Sequence, residues 1–216
     1  MAAPFSRSAV LAVKLTLLAV LVIVGASVAF ARWRMAPEHV ALEPVEQPIP
    51  FSHKHHVGDD GIDCRYCHTS VEKSGFAGLP STSICLTCHS QLFVDSPKLA
   101  LLHESARTNK PIRWVRVHDL PDFVYFEHDI HVRKGVACAE CHGKVDQMPL
   151  TWRVASLDMQ WCLHCHRSAP QHVRPLSEVL SMAPLQPLSA AEVGQLNRLY
   201  HLRDASALTN CSTCHR

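Results

Sequence analysis

The sequence predicts a mostly helical protein with extensive irregular loops, organised around groups other than its own apolar side chains and led by one N-terminal membrane helix. Three observations point there. Five copies of Cys-x-x-Cys-His account for all ten cysteines of the 216 residues. Aromatic residues make up only 6% of the chain, which leaves few large apolar side chains for a core. Residues 9–31 form a long apolar run whose only charge is Lys14.

The N-terminal run justifies the first element. Twenty-three helical residues reach about 34 Å, enough to cross a bilayer. Lys14 lies early in the run and can snorkel to the interface. Ala29-Phe30-Ala31 has the form of a signal-peptidase site, so a cleaved export signal is the competing reading. The length of the run favours an uncleaved anchor at 9–31, after a cytoplasmic tail at 1–8. Charge does not orient it: Arg7 and Lys14 lie on one side, Arg32 and Arg34 on the other. Residues 32–50 carry Pro37, Pro44, Pro48 and Pro50 and read as an extended, semi-rigid linker, with His39 solvated.

The cysteine motifs come next. They are Cys64, Cys67 and His68; Cys85, Cys88 and His89; Cys138, Cys141 and His142; Cys162, Cys165 and His166; and Cys211, Cys214 and His215. Cys-x-x-Cys-His is the attachment signature of c-type haem, and composition alone gives about 0.03 chance matches. The spacing has a chemical reason. Two thiols one short turn apart add to the two vinyl groups, and the next residue sets its imidazole under the iron. Disulfides need no His after each pair. Zinc sites separate Cys from His by two or more residues. A thioredoxin-like pair occurs once, beside a βαβ unit. The expected cofactors are therefore five c-type haems, with His68, His89, His142, His166 and His215 as proximal iron ligands.

Five irons ask for five distal ligands, and the sixteen histidines leave eleven spare. Their distribution is a repeat. Phe51-Ser-His53-Lys-His55-His56 precedes the first motif, and Phe126-Glu-His128-Asp-Ile-His131 precedes the third, 75 residues on. Each Phe-x-His-x-x-His is followed by two haem motifs. Residues 51–110 thus read as a first dihaem unit, 111–175 as a second, and 176–216 as a C-terminal segment with the fifth haem. Histidines three apart share one face of a helical turn, so one reaches its own haem and the other a neighbour. This assigns His53, His56, His128 and His131 as distal ligands. His55 has no counterpart (Ile130) and reads as a bystander.

The fifth distal ligand is assigned first to His118. The alternatives are His201, Met148 and Met159, a methionine raising the potential of its haem. His201 lies on a helix expected over 190–203, opened by a Ser189–Glu192 capping box. His103 lies on the apolar face of a helix opened by Ser96-Pro97 and reads as a satisfied core histidine. His164 reads as facing out, and His172 as solvated. Residues 143–160 and 167–188 read as loops with short helices at most.

Several string matches carry a resemblance. The Phe-x-His-x-x-His units with paired Cys-x-x-Cys-His resemble the class III multihaem cytochromes, the c3/c7 group. The stretches Phe51–His68, Trp114–His142 and Met159–Arg167 resemble the pentahaem cytochrome subunit of alternative complex III. That family implies a membrane complex that oxidises quinol and passes electrons to a periplasmic cytochrome c, another carrier or a terminal oxidase. It implies partners: an iron–sulfur subunit related to molybdopterin enzymes, polytopic membrane subunits and a monohaem cytochrome c. It implies a haem domain on the periplasmic side of a bacterial inner membrane.

Charge narrows the functions further. With 21 basic against 19 acidic residues the formal net charge is +2, and no long basic run suits nucleic acid. Five haems with their propionates would take the total to roughly −3 oxidised and −8 reduced. Enough histidines to close every iron favour electron transfer over catalysis, so the chain reads as an electron-transfer subunit without a substrate site of its own. A stand-alone anchored quinol dehydrogenase feeding periplasmic reductases is the alternative. A pentahaem nitrite or sulfite reductase is disfavoured, since all five motifs end in His.

Overall fold

The structure is a computed structural model that describes residues 6–35, 43–184 and 186–215. It divides into two units, Met1–His39 and Val40–Arg216.

The first unit contains a single helix, α1 (Arg7–Met35), apolar along nearly all its length. Residues Arg7–Trp33 are long and apolar enough to cross a membrane, and none of the most apolar stretch is covered by protein. A membrane anchor and a signal sequence share these properties. The helix outlasts the expected end at residue 31 because nothing before Pro37 breaks it. His39, expected to be solvated, and Pro37 lie outside the described residues.

The second unit is built from short helices: α2 (Cys64–Cys67), α3 (Thr82–His89), α4 (Ala100–Thr108), α5 (His128–Arg133), α6 (Cys138–His142), α7 (Met159–Arg167), α8 (Ala190–Leu199), α9 (Ala205–Leu208) and α10 (Cys211–Cys214). A π-helical turn covers Lys54–Asp59, and single 3-10 turns fill the loops at Val145–Gln147, Ala169–Gln171 and Leu176–Glu178. Among the described residues there is no strand, only one antiparallel bridge between Val136 and Val173. The capping box forms as expected. Ser189 accepts from the Glu192 N–H at 3.3 Å, and Glu192 accepts from the Ser189 N–H at 2.8 Å. The helix it opens stops at Leu199, short of residue 203, and His201 sits beyond it with φ +48°.

Apolar packing is sparse. One cluster joins Val71, Val132 and Val179; another joins Val173, Leu196 and Tyr200. Both tie together distant parts of the sequence within the one unit Val40–Arg216. The Lys54–Asp59 turn rests on the turn at Val145–Gln147, and the Lys54 N–H donates to the Met148 carbonyl at 3.0 Å. Gly58 permits this approach, since a Cβ there would run into the Asp146 carbonyl oxygen. Gly58→Ala is expected to destabilise the haem-loaded protein by about 1–3 kcal/mol, read from its thermal melt.

Residues 43–50 are not a free linker. The Gln47 side-chain amide donates to the Val115 carbonyl at 2.9 Å and accepts from the Val115 N–H at 3.0 Å. Ile49 is buried, and the Val45 N–H donates to the Thr151 carbonyl. Pro44, Pro48 and Pro50 favour an extended shape, but an extended segment with an inward Ile and a Gln that satisfies a facing backbone docks instead.

Candidate functional site: four facing histidine pairs and five thiol motifs

Each Cys-x-x-Cys pair lies on a helical turn. In α2, α6 and α10 the motif is nearly the whole helix; in α3 and α7 it forms the last turns. Side-chain caps hold three of these helices at their N-termini: Asp63 accepts from the Arg65 N–H, Asp158 from the Trp161 N–H and Asn210 from the Ser212 N–H. A spacing of three sets both sulfurs on one face, and the His follows directly. None of the ten cysteines forms a disulfide.

The histidines meet in pairs across gaps. The ring centres of His53 and His68 are 6.5 Å apart and those of His128 and His142 6.4 Å apart, with nearly parallel planes in both. His56 faces His89 at 6.2 Å, and His131 faces His166 at 6.3 Å. Two metal–nitrogen bonds of about 2.0 Å and two ring radii of about 1.2 Å would put a metal-bridged pair about 6.4 Å apart. The four spacings therefore fit an iron between the rings.

The outer nitrogens are also held. His68 Nδ1 is 2.7 Å from the Gly78 carbonyl, His89 Nδ1 3.2 Å from Leu92, His166 Nδ1 2.9 Å from Leu208 and His215 Nδ1 3.1 Å from Phe123. On the facing side, His56 Nδ1 bonds the Ser52 carbonyl, His128 that of Gly75, His131 that of Glu127, and His53 the Thr151 hydroxyl. A carbonyl can only accept, so the seven carbonyl bonds place the proton on Nδ1 and leave Nε2 with its lone pair free for a metal, while the Thr151 hydroxyl, which can donate or accept, positions His53.

The repeat extends to the phenylalanines. Phe51 stacks on His56 at 4.5 Å and meets His53 edge-on at 4.9 Å; Phe126 stacks on His131 at 4.6 Å and meets His128 edge-on at 4.7 Å. Each Phe wedges between its two histidines and fixes both ring planes. The recurrence of Phe in the motif signalled this, although only the histidines were singled out from the sequence.

Burial keeps His53, His131 and His142 neutral. It lowers His53 to about 4, helped by His68 and His56, and lowers His142 to about 3, helped by His118 and His128. Burial likewise raises the thiols, Cys138 to about 11 and Cys141 to about 12. Neutral imidazole is the metal-binding form. Below its ordinary value of 6.5, His53 would take a proton in the unfolded chain but not in the folded one until about pH 4. Folding stability is therefore full above pH 6.5 and lost as pH falls towards 4.

The fifth set is different. Beside His215 lies the ring of Phe123, at 5.9 Å, and among the described residues no histidine faces it in the manner of the other four. His118 instead packs edge-on against His142 at 4.3 Å, too close for an iron between them. Its Nε2 is buried without a hydrogen-bond partner, and burial followed by Arg153 lowers it to about 4. Met148 is almost wholly buried, whereas Met159 is exposed at the start of α7. His201 is exposed.

The remaining histidines divide. His55 stands 3.5 Å from the Asp60 carboxylate and packs edge-on against the His56 ring at 5.3 Å, without facing a motif histidine of its own. His103, expected to be satisfied in a core, has a buried Nε2 with no partner, because the apolar helix face supplies no acceptor. His172 is half-buried, not solvated: it meets Ser168 at 3.2 Å and Glu140 at 3.7 Å, and its ring lies 6.0 Å from that of His164. The flanking prolines gave no hint of these contacts.

With this arrangement in place, comparison with known proteins is informative. Residues 124–216 match the family described as cytochrome c7 and related cytochrome c. The chain is also 40% identical over 111 residues to a protein of Nitratidesulfovibrio vulgaris named menaquinone reductase, multiheme cytochrome c subunit. That match spans about half of this chain and about half of the relative, 51% of each. Both similarities are to c-type cytochromes, which carry haem covalently through Cys-x-x-Cys-His. The thiol turns and the free Nε2 atoms of the facing rings suit that cofactor. Haem iron supplies a reversible one-electron couple.

Proposed function

We propose that this chain is the electron-transfer subunit of a membrane-bound quinol-oxidising complex resembling alternative complex III, with five covalent haems. The four histidine pairs at 6.2–6.5 Å carry the reading. Each pair would hold one haem iron between two imidazoles, an arrangement that would supply electron transfer and leave no open position for substrate. Cys64 with Cys67, Cys85 with Cys88, Cys138 with Cys141, Cys162 with Cys165 and Cys211 with Cys214 attach the haems. His68, His89, His142, His166 and His215 serve as proximal ligands, and His53, His56, His128 and His131 as distal ones. The fifth distal position falls to His118 after rearrangement, or to Met148, Met159 or His201.

The chain's own residues do three things in this role. Backbone carbonyls fix His56, His68, His89, His128, His131, His166 and His215 and hold the proton of each on the far nitrogen, and the Thr151 hydroxyl positions His53. The phenylalanines lock the ring planes. Burial keeps the His53, His131 and His142 rings neutral. α1 would anchor the unit in a bacterial inner membrane with the haem unit on the periplasmic side. Iron–sulfur, polytopic membrane and monohaem cytochrome subunits would be its partners, and a periplasmic carrier or a terminal oxidase would receive the electrons.

The relative's name favours a second reading, in which the same wire delivers electrons to menaquinone. One preparation separates the two. The intact mass should show five covalently added haems, and the co-purifying subunits should include an iron–sulfur protein. Haem reduction by added quinol supports the first direction. Menaquinone reduction by the pre-reduced complex, with no haem reduction by quinol, supports the second. A mass without added haem ends both.

A further inference from the structure

The order of the five motifs along the chain differs from their order in space. The motifs at His68 and His89 touch through Tyr66 and Thr87, whose hydroxyl oxygens are 2.7 Å apart; each residue immediately precedes the second cysteine of its motif. The motif at His68 meets the pair at His142 through one short segment. Within it the Gly78 carbonyl accepts from His68 Nδ1 at 2.7 Å, and the Gly75 carbonyl accepts from His128 Nδ1 at 2.8 Å. The sites at His142 and His166 share α5, which supplies His128 to one and His131 to the other. The site at His166 meets the last motif through Leu208, whose carbonyl accepts from His166 Nδ1 at 2.9 Å just before α10 begins. Among the described residues no hydrogen bond joins the Cys85–His89 motif to those at His142, His166 or His215.

Exposure follows the same order. Of the ten cysteines only Cys88 and Cys211 are exposed, one in the motif of His89 and one in that of His215.

We propose that the five attachment sites form an unbranched series, His89–His68–His142–His166–His215, and that the complex exchanges electrons with its partners only at the two ends, through the Cys85–His89 and Cys211–His215 sites. The first motif in the sequence is thus an interior relay and the second is a terminus. The inference rests on the five-haem reading given above. Its chemistry is simple: a reduced one-electron redox protein or neighbouring subunit centre at one end loses one electron, an oxidised one-electron carrier at the other gains it, and no bond or proton moves.

The test uses the full chain in detergent, after its mass has established five haems; fewer would refute the five-haem reading rather than the order. Electron paramagnetic resonance of the oxidised protein is recorded with and without a soluble gadolinium chelate, which speeds the relaxation of haems near the surface. Two of the five signals should relax severalfold faster than the other three. Single variants His53→Met, His56→Met, His128→Met and His131→Met each move one signal and so identify it. The two fast signals should be the one moved by His56→Met and the one unmoved by all four. In His56→Met the altered haem is reduced first, and only the signal assigned through His53 should then lose spin–spin broadening. Three or more fast signals in the unaltered protein overturn the proposal, even if a variant fails to assemble. So does a fast signal assigned to His53, His128 or His131, or a response at His128 when the His56→Met haem is reduced.

Discussion

Produced without haem attachment, this chain should be an unfolded polypeptide. Among the described residues only eleven apolar side chains are buried, and the clusters they form are small, one around Val71, Val132 and Val179 and one around Val173, Leu196 and Tyr200. Such clusters cannot offset the conformational entropy of ordering the whole unit. The helices give little help. Those carrying Cys64, Cys138 and Cys211 span four or five residues, far below the length at which a helix is stable alone. Their order must come from what they bind, as in small metal-dependent domains. Cys→Ala at all ten positions, or expression without a haem-attachment system, should abolish essentially all near-UV dichroism and amide-exchange protection beyond α1. A compact haem-free chain with native-like near-UV dichroism would refute the dependence.

The second large effect is expected at His131. His131→Ala removes the ring that faces His166 at 6.3 Å and leaves one axial side open. Reduced variant protein should bind one more carbon monoxide per chain than the unaltered protein, with one low-spin signal converted to high spin. The effect should stay local, because His128, one turn away, is held separately by the Gly75 carbonyl. His55→Ala is the control: that ring lies against Asp60, outside the four pairs, and its loss should leave carbon monoxide binding unchanged. An equal gain in the His55 variant, or none in the His131 variant, would sink the assignment of these rings.

Much of this site was readable in the residues. The Phe-x-His-x-x-His repeat foretold two similar turns, and the Phe–His ring geometry recurs in both, Phe51 on His56 and Phe126 on His131, although one turn is π-helical and the other α-helical. The motif spacing fixed where thiols and rings stand relative to each other, since both are local consequences of helical geometry. What sequence could not convey is set by chain crossings. Nothing local says that Gly75 accepts from His128, that Thr151 holds His53, or that Leu208 meets His166. The same limit explains His118: near the third motif in sequence, it packs on His142 rather than beside His215. His103 was read as satisfied because its helix face is apolar, yet that face offers its ring no acceptor. The chain from Glu43 to Pro50 was read as a spacer because proline dictates shape, whereas Gln47 dictates docking.

The single turn of α5 has a consequence for how this protein can change over time. His128 and His131 serve two different ring pairs from one rigid turn. One inserted residue would rotate the second ring by about 100° around the helix axis, disconnecting two redox centres by a single lesion. Length variation among descendants of this gene should therefore collect in stretches such as 185–188 and avoid the three-residue step from His128 to His131.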